Sequence, residues 1–286
     1  MTRILLTGRN GQVGWELERT LAPLAEIIAH DRAGLDLADL DRIRTVVRET
    51  RPDIIVNAAA YTAVDKAESE PDLAMAINGT APGVLAEETK RLGALLVHYS
   101  TDYVFDGTKP APYTEEDTPN PINAYGRSKL AGELAIQAVG GRHLILRTSW
   151  VYSLRGHNFL NTILRLAAER DELRIVDDQI GAPTWSHAIA EATGRLLALP
   201  QPPEGLYHLS ASGETSWHGF AKAIVATRGL ATAVVPIPAS DYPLPARRPA
   251  NSRLDNCRLR KATGVALGDW QAQLALCLAD VEKPKG

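Results

Sequence analysis

Short apolar runs alternate with amphipathic stretches through the first half of the chain. The runs have the length of strands: ILL at 4–6, EIIAH at 26–30, DIIVNAAA at 53–60, LLVHYS at 95–100 and LILRTSW at 144–150. Helical patterns lie between them at 13–24, 39–50, 73–93 and 124–139. Strands that are apolar on both faces and alternate with helices are typical of a parallel sheet covered on both sides. The sequence therefore predicts an α/β fold, a Rossmann-like doubly wound parallel sheet.

The regular alternation fades after about residue 150. Helices are expected at 158–170, 187–199, 216–229 and 269–281, and strands at 173–177 and 206–210. The proline-rich segment 236–252 is expected to be turn-like. We expect a dinucleotide-binding Rossmann domain at 1–150, with elements returning from about 180–215. Residues 151–286 are expected to form mostly a smaller, mixed, substrate-binding lobe.

Composition excludes several classes of partner. The 286 residues carry a net charge of only −3, with no basic block, so nucleic acid is not expected to bind. No apolar stretch approaches the roughly 20 residues that span a membrane. The N-terminal MTRILLTG runs directly into an apolar strand, which predicts a cytoplasmic protein. Cys257 and Cys277 lack metal-ligand spacing and are expected to be reduced thiols.

A glycine pattern, G-x-x-G-x-x-G at Gly8, Gly11 and Gly14, separates the first strand from the first helix. Glycines allow a tight turn and close approach of the backbone to a pyrophosphate, and the helix N-terminus offers free N–H groups to phosphate oxygens. This context predicts a dinucleotide site. Gln12 and Val13 fall within the same loop.

Residues after the second and third strands should surround the rest of the cofactor. Asp31 ends the second strand, where an acid commonly binds the adenosine ribose and favours NADH. Arg32 is adjacent and suits the 2′-phosphate of NADPH, so the preference stays open. Asp36 is either an adenine contact or a solvated turn acid. The small residues Asn57–Ala60 allow close approach of backbone to cofactor, although helix–strand packing would also explain them.

A Tyr-x-x-x-Lys pair, Tyr125 and Lys129, lies on a predicted helix. The i, i+4 spacing places phenol and ammonium on one face. A nearby ammonium is expected to lower the pKa of the tyrosine, which suits proton exchange with an alcohol or ketone. The preceding strand ends at Ser100 and Thr101, whose hydroxyls could hold a substrate oxygen.

The strings TGRNGQVG, NAAA, YST and YGRSK resemble the extended short-chain dehydrogenase/reductase superfamily. Longer strings resemble the dTDP-4-dehydrorhamnose reductase family: GQVGWEL, NAAAYTAVDKAE, YSTDYVFDG, YGRSKLAGE, RTSWVY, DDQIGAPT, GLYHLSASG and RRPANSRLD. They spread over nearly the whole chain. The resemblance implies that NADPH or NADH reduces the 4-keto group of dTDP-4-dehydro-6-deoxy-L-mannose, the last step of dTDP-L-rhamnose synthesis.

The resemblance also implies residue roles. Thr101, Tyr125 and Lys129 would form the catalytic triad, and the sugar nucleotide would contact Thr101, Asp102, Tyr125 and Trp150. With the loop residues, the expected cofactor contacts are Gly8, Gly11, Gln12, Val13, Gly14, Asp31, Asp36, Leu37, Ala59, Ala60, Tyr61, Thr62 and Lys129. Further polar candidates are Asn78, as a supporting residue, and Asn158 and Arg248, as substrate contacts.

One departure concerns metal. Some members of the family join two subunits through Mg²⁺ held by glutamates, and the matching positions here are Glu16, His187 and Asp280. Only one keeps the glutamate, and imidazole suits Mg²⁺ poorly. We therefore expect no metal site, and a monomer or a weak homodimer.

Alternative functions come from the same fold. Dehydratases carry glutamate where this chain has Tyr103, so elimination is disfavoured. A reductase or epimerase acting on a related nucleotide-deoxysugar stays open. A non-catalytic regulatory subunit is the alternative of a different class, which an intact triad and phosphate loop argue against.

Overall fold

A computed structural model describes residues 2–279. The strands, in chain order, are β1 (Arg3–Thr7), β2 (Glu26–His30), β3 (Ile54–Asn57), β4 (Leu95–Thr101), β5 (His143–Thr148), β6 (Val151–Tyr152), β7 (Glu172–Val176), β8 (Ile180–Gly181), β9 (Thr184–Trp185), β10 (Gly205–His208), β11 (Thr215–Ser216) and β12 (Ala233–Ile237). The α-helices are α1 (Gln12–Leu21), α2 (Leu40–Thr50), α3 (Val64–Ala67), α4 (Pro71–Met75), α5 (Ala81–Leu92), α6 (Ala124–Val139), α7 (Phe159–Glu169), α8 (Ser186–Leu197), α9 (Trp217–Thr227), α10 (Cys257–Thr263) and α11 (Trp270–Ala279). A π-helical turn occupies Ala76–Thr80, and 3-10 helices occupy Asp102–Val104 and Ala239–Asp241.

Six strands form one sheet in the order β10-β5-β4-β3-β1-β2, and every neighbouring pair is parallel. The predicted doubly wound parallel sheet is confirmed. The chain moves outward in one direction from β1 to β2 and then returns to place β3 on the other side of β1. The loops after β1 and β3 therefore diverge, and such a reversal of strand order is where open α/β sheets form a binding crevice.

Alternate residues of the central strands pack into two different cores. Ile4 and Leu6 face a core with Leu17 of α1 and Ile189 of α8. Leu5, one residue away, faces a second core formed with α2 and α5. This alternation follows from the two-residue period of a strand. The continuously apolar sequence is thus explained by burial on both faces.

A second lobe has its own core around Tyr152, Leu160, Phe220 and Trp270. Its strands pair two by two: β7 with β12, β6 with β9, and β8 with β11. The expectation that residues 236–252 are turn-like is wrong at its start. Pro236 and Ile237 belong to β12 and pair with β7, which is tolerated because a proline lacks only one ladder donor at an edge.

The helix expected over 73–93 is present but contains a π-helical turn. It is divided into α4, the π-helical turn and α5. Pro82 has no N–H to donate to the carbonyl of Asn78, four residues earlier. That carbonyl instead faces α6, where a Cβ added to Gly132 would lie 2.2 Å from the Asn78 oxygen. The interruption allows the two helices to approach closely at Gly132.

A buried ion pair joins α6 to β5. Arg147 donates to Glu133 through Nε at 2.9 Å and through Nη2 at 2.6 Å, and both side chains are at most 3% exposed. Such a pair is strongly destabilising when only one partner is removed, because the other charge stays buried.

Replacement of Arg147 by Met should therefore lower the free energy of unfolding by about 3 kcal/mol. The double variant Glu133→Leu, Arg147→Met should recover most of that loss, because no charge remains buried. Urea denaturation measures both changes. The exposed pair Arg165–Glu169 supplies the control: Arg165→Met should barely move the midpoint. Equal effects of Arg147→Met and Arg165→Met would contradict this account.

Candidate functional site

The glycine loop after β1 is built for close backbone contact. Gly8 has φ +74°, and a Cβ there would lie 2.7 Å from the backbone nitrogen of Ala59, in the loop that follows β3. A Cβ on Gly14 would lie 2.1 Å from the carbonyl oxygen of Gly8. The N-terminus of α1 has Gly11 as its cap and no side-chain hydrogen bond to its first N–H groups. These N–H groups can bind an anion such as a pyrophosphate.

One cavity of about 700 Å³ extends from this loop to the Tyr-x-x-x-Lys pair. Most of the expected cofactor contacts lie along it: Gly8, Gly11, Gln12, Val13, Asp31, Asp36, Leu37, Ala59, Ala60, Tyr61, Thr62 and Lys129. Gly14 lies behind the loop, where it allows α1 to pack against Gly8. Tyr125 lines the opposite end of the cavity. A dinucleotide fits this arrangement, with phosphates at the glycine loop and its other end beside Tyr125 and Lys129.

Charged residues surround the end of the cavity beyond β2. Asp31 accepts from the Gly34 N–H at 3.0 Å and from Asn10 Nδ2 at 3.0 Å, and the Gly34 bond is the main cause of its lowered pKa. Arg32 donates to Asp36 at 3.1 Å. Asp31 and Arg32 both line the cavity, so a ribose hydroxyl acceptor and a 2′-phosphate donor are present together.

Asn78 fixes the loop after β3. Its Oδ1 accepts from the Tyr61 N–H at 2.8 Å, and its Nδ2 donates to the Tyr61 carbonyl at 2.9 Å and to Ser128 Oγ at 3.0 Å. These three hydrogen bonds are the contacts through which Asn78 would act as the expected supporting residue. It joins the cavity wall at Tyr61 to α6, the helix that carries Tyr125 and Lys129.

Tyr125 lies in the first turn of α6, which Asn123 caps by accepting from the Gly126 N–H at 2.7 Å. A Cβ on Gly126 would lie 2.1 Å from the Tyr103 carbonyl oxygen, so α6 packs directly on the segment after β4. Burial raises the pKa of Tyr125, and a hydrogen bond with Thr101 opposes that rise. The expectation of a lowered pKa is wrong for this structure, because burial outweighs the other contributions. Tyr125 is therefore a protonated phenol at neutral pH.

Thr101 and Asp102 meet at the end of β4. Thr101 Oγ1 donates to Asp102 Oδ1 at 3.0 Å, and both residues are buried. Burial raises the pKa of Asp102 to about 7, and hydrogen bonds from Ser252 and Thr101 limit the rise. The pair holds the Thr101 hydroxyl beside the phenol of Tyr125.

Lys129 is 2% exposed and held from β4. Its Nζ donates to the Tyr99 carbonyl at 2.6 Å and lies 3.3 Å from His98 Nε2. Burial lowers the pKa of Lys129 to about 8, and the charge of Glu133 opposes this. The residue is still mainly an ammonium at neutral pH.

Two further hydroxyls lie in the cavity wall, and sequence reasoning missed one of them, Thr148. Ser100 and Thr148 line the cavity, and their buried oxygens have no hydrogen-bond partner among the described residues. Buried polar groups are nearly always satisfied, so both oxygens suit a ligand. The position of Ser100 at the end of a predicted strand already indicates a hydroxyl that could hold a substrate oxygen. Thr148 pairs with Thr101 across β4 and β5, and its position at the carboxyl edge of the sheet was the signal that could have found it.

A second cavity of about 870 Å³ lies in the second lobe, lined by α7, β7 and residues 239–248. Trp150 does not line either cavity; its ring stacks on Trp217, which does line the second one, with centroids 3.5 Å apart. Arg248 also lines this cavity, and both its terminal nitrogens already bind the Asp65 carboxylate, at 2.8 and 2.7 Å.

Asn158, which was expected to contact the substrate, instead binds other residues of the protein. It caps α7 by accepting from the Asn161 N–H at 3.0 Å, and its Nδ2 donates to Gln12 Oε1 at 2.8 Å. Asn158 therefore ties the glycine loop to the second lobe.

The positions matched to the family's metal glutamates do not fit a magnesium ion. His187 Nδ1 lies 3.0 Å from Glu16 Oε2, and its Nε2 lies 3.3 Å from Glu191 Oε1. Imidazole nitrogen is a poor ligand for Mg²⁺. Asp280, the third matched position, lies outside the described residues. Within residues 2–279, no three His, Cys, Asp or Glu side chains are grouped so that they could hold a metal.

Comparison with known proteins gives consistent results. A family model described as the RmlD substrate binding domain matches residues 1–283. A dTDP-4-dehydrorhamnose reductase of Burkholderia thailandensis is 52% identical over 294 residues, covering 98% of this chain and 99% of that protein. One from Escherichia coli is 47% identical over 281 residues, covering 94% of each.

A solved structure is also similar throughout. It is a dTDP-4-dehydrorhamnose reductase from Bacillus anthracis in complex with NADP, 38% identical, with a TM-score of 0.94. The match covers 98% of this chain and 100% of that one. In the described part of this chain, no helix is long and apolar enough to cross a membrane.

The glycine loop yields a first binding prediction. Gly14→Ala should weaken NADPH binding about tenfold or more, because the added methyl cannot fit 2.1 Å from the Gly8 carbonyl without displacing the loop. Fluorescence titration of NADPH measures the affinity. Gly268→Ala is the matched control, since a Cβ there meets nothing within 4 Å. Unchanged NADPH affinity in Gly14→Ala would mean that the loop does not hold the phosphates.

Proposed function

The chain belongs to the dTDP-4-dehydrorhamnose reductase family, and from this premise we propose that it reduces dTDP-4-dehydro-6-deoxy-L-mannose to dTDP-L-rhamnose with NADPH or NADH. The single observation that carries the proposal is the continuous cavity. It joins a phosphate-binding loop at one end to Tyr125 and Lys129 at the other. The reaction is the last step of dTDP-rhamnose synthesis.

The reduction adds a hydride and a proton to a ketone. A bound reduced nicotinamide supplies the hydride to the 4-keto carbon, whose oxygen becomes an alkoxide. Tyr125 gives its phenol proton to that oxygen and is left as a phenolate. Burial keeps Tyr125 protonated until the alkoxide forms but also makes the phenol a weaker acid, so transfer of its proton depends on stabilisation of the phenolate. Thr101, whose hydroxyl donates to Asp102 in the structure, would turn that proton to the sugar oxygen when the substrate binds.

Lys129 stabilises the phenolate electrostatically. Its ammonium is buried on the same helix face, one turn after Tyr125, where a low dielectric strengthens the attraction.

The residue after Asp102 supports reduction rather than dehydration. Burial raises the pKa of the Tyr103 phenol, so it cannot replace the carboxylate base that elimination needs.

We propose the following division of labour. Residues 1–150, with elements returning between about 180 and 215, bind the cofactor, and residues 151–286 bind mostly the sugar nucleotide. The pairing of β10 with β5 and the packing of α8 on α1 support the returning elements. Gly11, Gln12 and Val13 would hold the pyrophosphate. Trp150 would contact the sugar nucleotide, which is supported by its stacking on the cavity residue Trp217.

We also propose a cytoplasmic monomer or weak homodimer. The Glu16–His187 contact supports the absence of a metal bridge between subunits, because it engages the carboxylate that such a bridge would need. Cys257 and Cys277, which form no disulfide, are compatible with a reducing compartment.

Removal of the phenol oxygen tests the reaction. Tyr125→Phe should lower kcat with dTDP-4-dehydro-6-deoxy-L-mannose by about 10²–10⁴-fold, the usual contribution of a general acid. NADPH oxidation measured at 340 nm, and thermal melting, separate activity from folding. Tyr152→Phe is the control, because its buried hydroxyl has no hydrogen-bond partner among the described residues. Absence of wild-type turnover with both NADPH and NADH would refute the proposed function.

Arg32 tests the choice of cofactor. Arg32→Ala should raise the KM for NADPH about tenfold, because a 2′-phosphate would lose a cation that lines the cavity beside Asp31, while the KM for NADH changes little. Steady-state kinetics with both cofactors give the ratio. Arg165→Ala, an exposed arginine outside the cavity, should leave both values unchanged. A parallel rise for NADH and NADPH would show that Arg32 does not recognise the 2′ position.

A further inference from the structure

A row of four polar side chains lies under the cavity and crosses three strands. Thr7, Asn57 and His98 are register partners on β1, β3 and β4, and Lys129 follows from α6. All four are at most 2% exposed. The row joins the end of β1, where the glycine loop starts, to the lysine beside Tyr125.

Short contacts connect the row from end to end. Thr7 Oγ1 lies 2.7 Å from Asn57 Oδ1, Asn57 Nδ2 lies 3.1 Å from His98 Nδ1, and His98 Nε2 lies 3.3 Å from Lys129 Nζ. The Ala59 N–H also donates to Thr7 Oγ1, at 3.2 Å. Each member therefore constrains which atom of the next can donate.

The contact between His98 and Lys129 needs one acceptor. When Asn57 Nδ2 points toward the His98 ring, His98 Nδ1 accepts its N–H, and the proton of the neutral imidazole lies on His98 Nε2. That Nε2–H and an ammonium would both be donors, so this arrangement fits a neutral lysine amine. If the Asn57 amide is turned by half a rotation, His98 Nδ1–H donates to the Asn57 oxygen. The unprotonated His98 Nε2 then accepts from the Lys129 ammonium. The same heavy-atom positions serve both arrangements, because amide oxygen and nitrogen are nearly alike and ring tautomers are interchangeable.

Burial keeps the ring neutral in both arrangements. The pKa of His98 is well below its usual value, through desolvation first and the charge of Lys129 second. The other groups that act on Lys129 are Glu133 on its own helix, which stays paired with Arg147 of β5, and the Tyr99 carbonyl of β4. Tyr125 completes the surroundings on α6. Of the two groups within hydrogen-bond distance of Lys129 Nζ, the Tyr99 carbonyl can only accept, whereas His98 can change from acceptor to donor.

We propose that His98, oriented by Asn57, is a positioning residue that follows the protonation state of Lys129. Its bare Nε2 accepts from the ammonium, and its Nε2–H donates to the amine after the lysine has released a proton into the cavity. The two arrangements differ by that one proton and by the tautomer of the ring. Lys129 therefore keeps one position in both states. This inference rests on the catalytic role of Lys129 in the proposed function.

Nitrogen NMR of the wild-type protein labelled with ¹⁵N-histidine tests the tautomer directly, with His98→Gln used to assign the signal. The spectra are recorded on either side of the Lys129 pKa of about 8. On the acidic side Nδ1 should carry the proton, and on the alkaline side Nε2 should carry it. One unchanged tautomer across the titration would overturn the inference. The experiment needs no substrate, so its outcome is independent of the proposed function.

Kinetics provide the second test. His98→Leu should lower kcat about tenfold and move the alkaline limb of its pH profile down by about one unit, because a charge-assisted bond to the ammonium is worth more than the neutral bond to the amine. His98→Gln should restore most of kcat and the wild-type limb, since an amide can turn to accept or donate.

His208→Leu is the matched control. His208 is a buried histidine on β10, in the same sheet, and its ring nitrogens have no hydrogen-bond partner among the described residues. Its pH profile should match the wild type. An unmoved limb in a folded His98→Leu variant, or the same shift in His208→Leu, would overturn the inference. If His98→Leu does not fold, the comparison of His98→Gln with the wild-type spectra still decides it.

Discussion

The contact between the loops that follow β1 and β3 is the constraint on which the site depends. Gly8 and Ala59 approach so closely that no side chain fits on Gly8. They meet because β1 and β3 are neighbouring parallel strands, and the connections that follow then diverge, since the strand order reverses there, and leave a crevice between them. The cavity, the exposed helix N-terminus and the position of Tyr61 all follow from this one backbone arrangement.

Burial of the reacting groups determines their protonation. It makes Tyr125 a weaker acid and Lys129 a weaker base than either is in water, and the two effects have one cause. The phenol therefore keeps its proton until an alkoxide forms, and the ammonium is only modestly favoured over the amine. A site of this kind needs nearby partners that tolerate both states of the lysine, and the row through His98 meets that need.

The sheet could be predicted because apolar strands alternate with amphipathic helices, a local pattern that is typical of a parallel sheet covered on both faces. Helix α6 was predicted with its observed limits. Pro82 leaves the Asn78 carbonyl without a helical donor, but the packing of that carbonyl against α6 at Gly132 is a contact between segments distant in sequence. Likewise, β12 is a strand only because β7 lies beside it.

The candidate site, too, could be predicted where a local sequence pattern indicates it and not where it depends on contacts between distant segments. The cavity brings together the glycine loop, Tyr125 and Lys129, whose spacing in the sequence is itself diagnostic. Arg248 and Asn158, by contrast, are engaged by Asp65 and Gln12, and such pairing cannot be seen without the fold. The direction of the shift in the Tyr125 pKa was missed because sequence spacing reports a neighbouring charge but not the depth of burial.

Strand β10 joins the edge of β5 only after the chain has formed the segment from β6 to β9. Because the edge strand is more than 50 positions away in sequence, the sheet cannot be completed during synthesis until residue 208 has left the ribosome, and β5 stays an open edge until then.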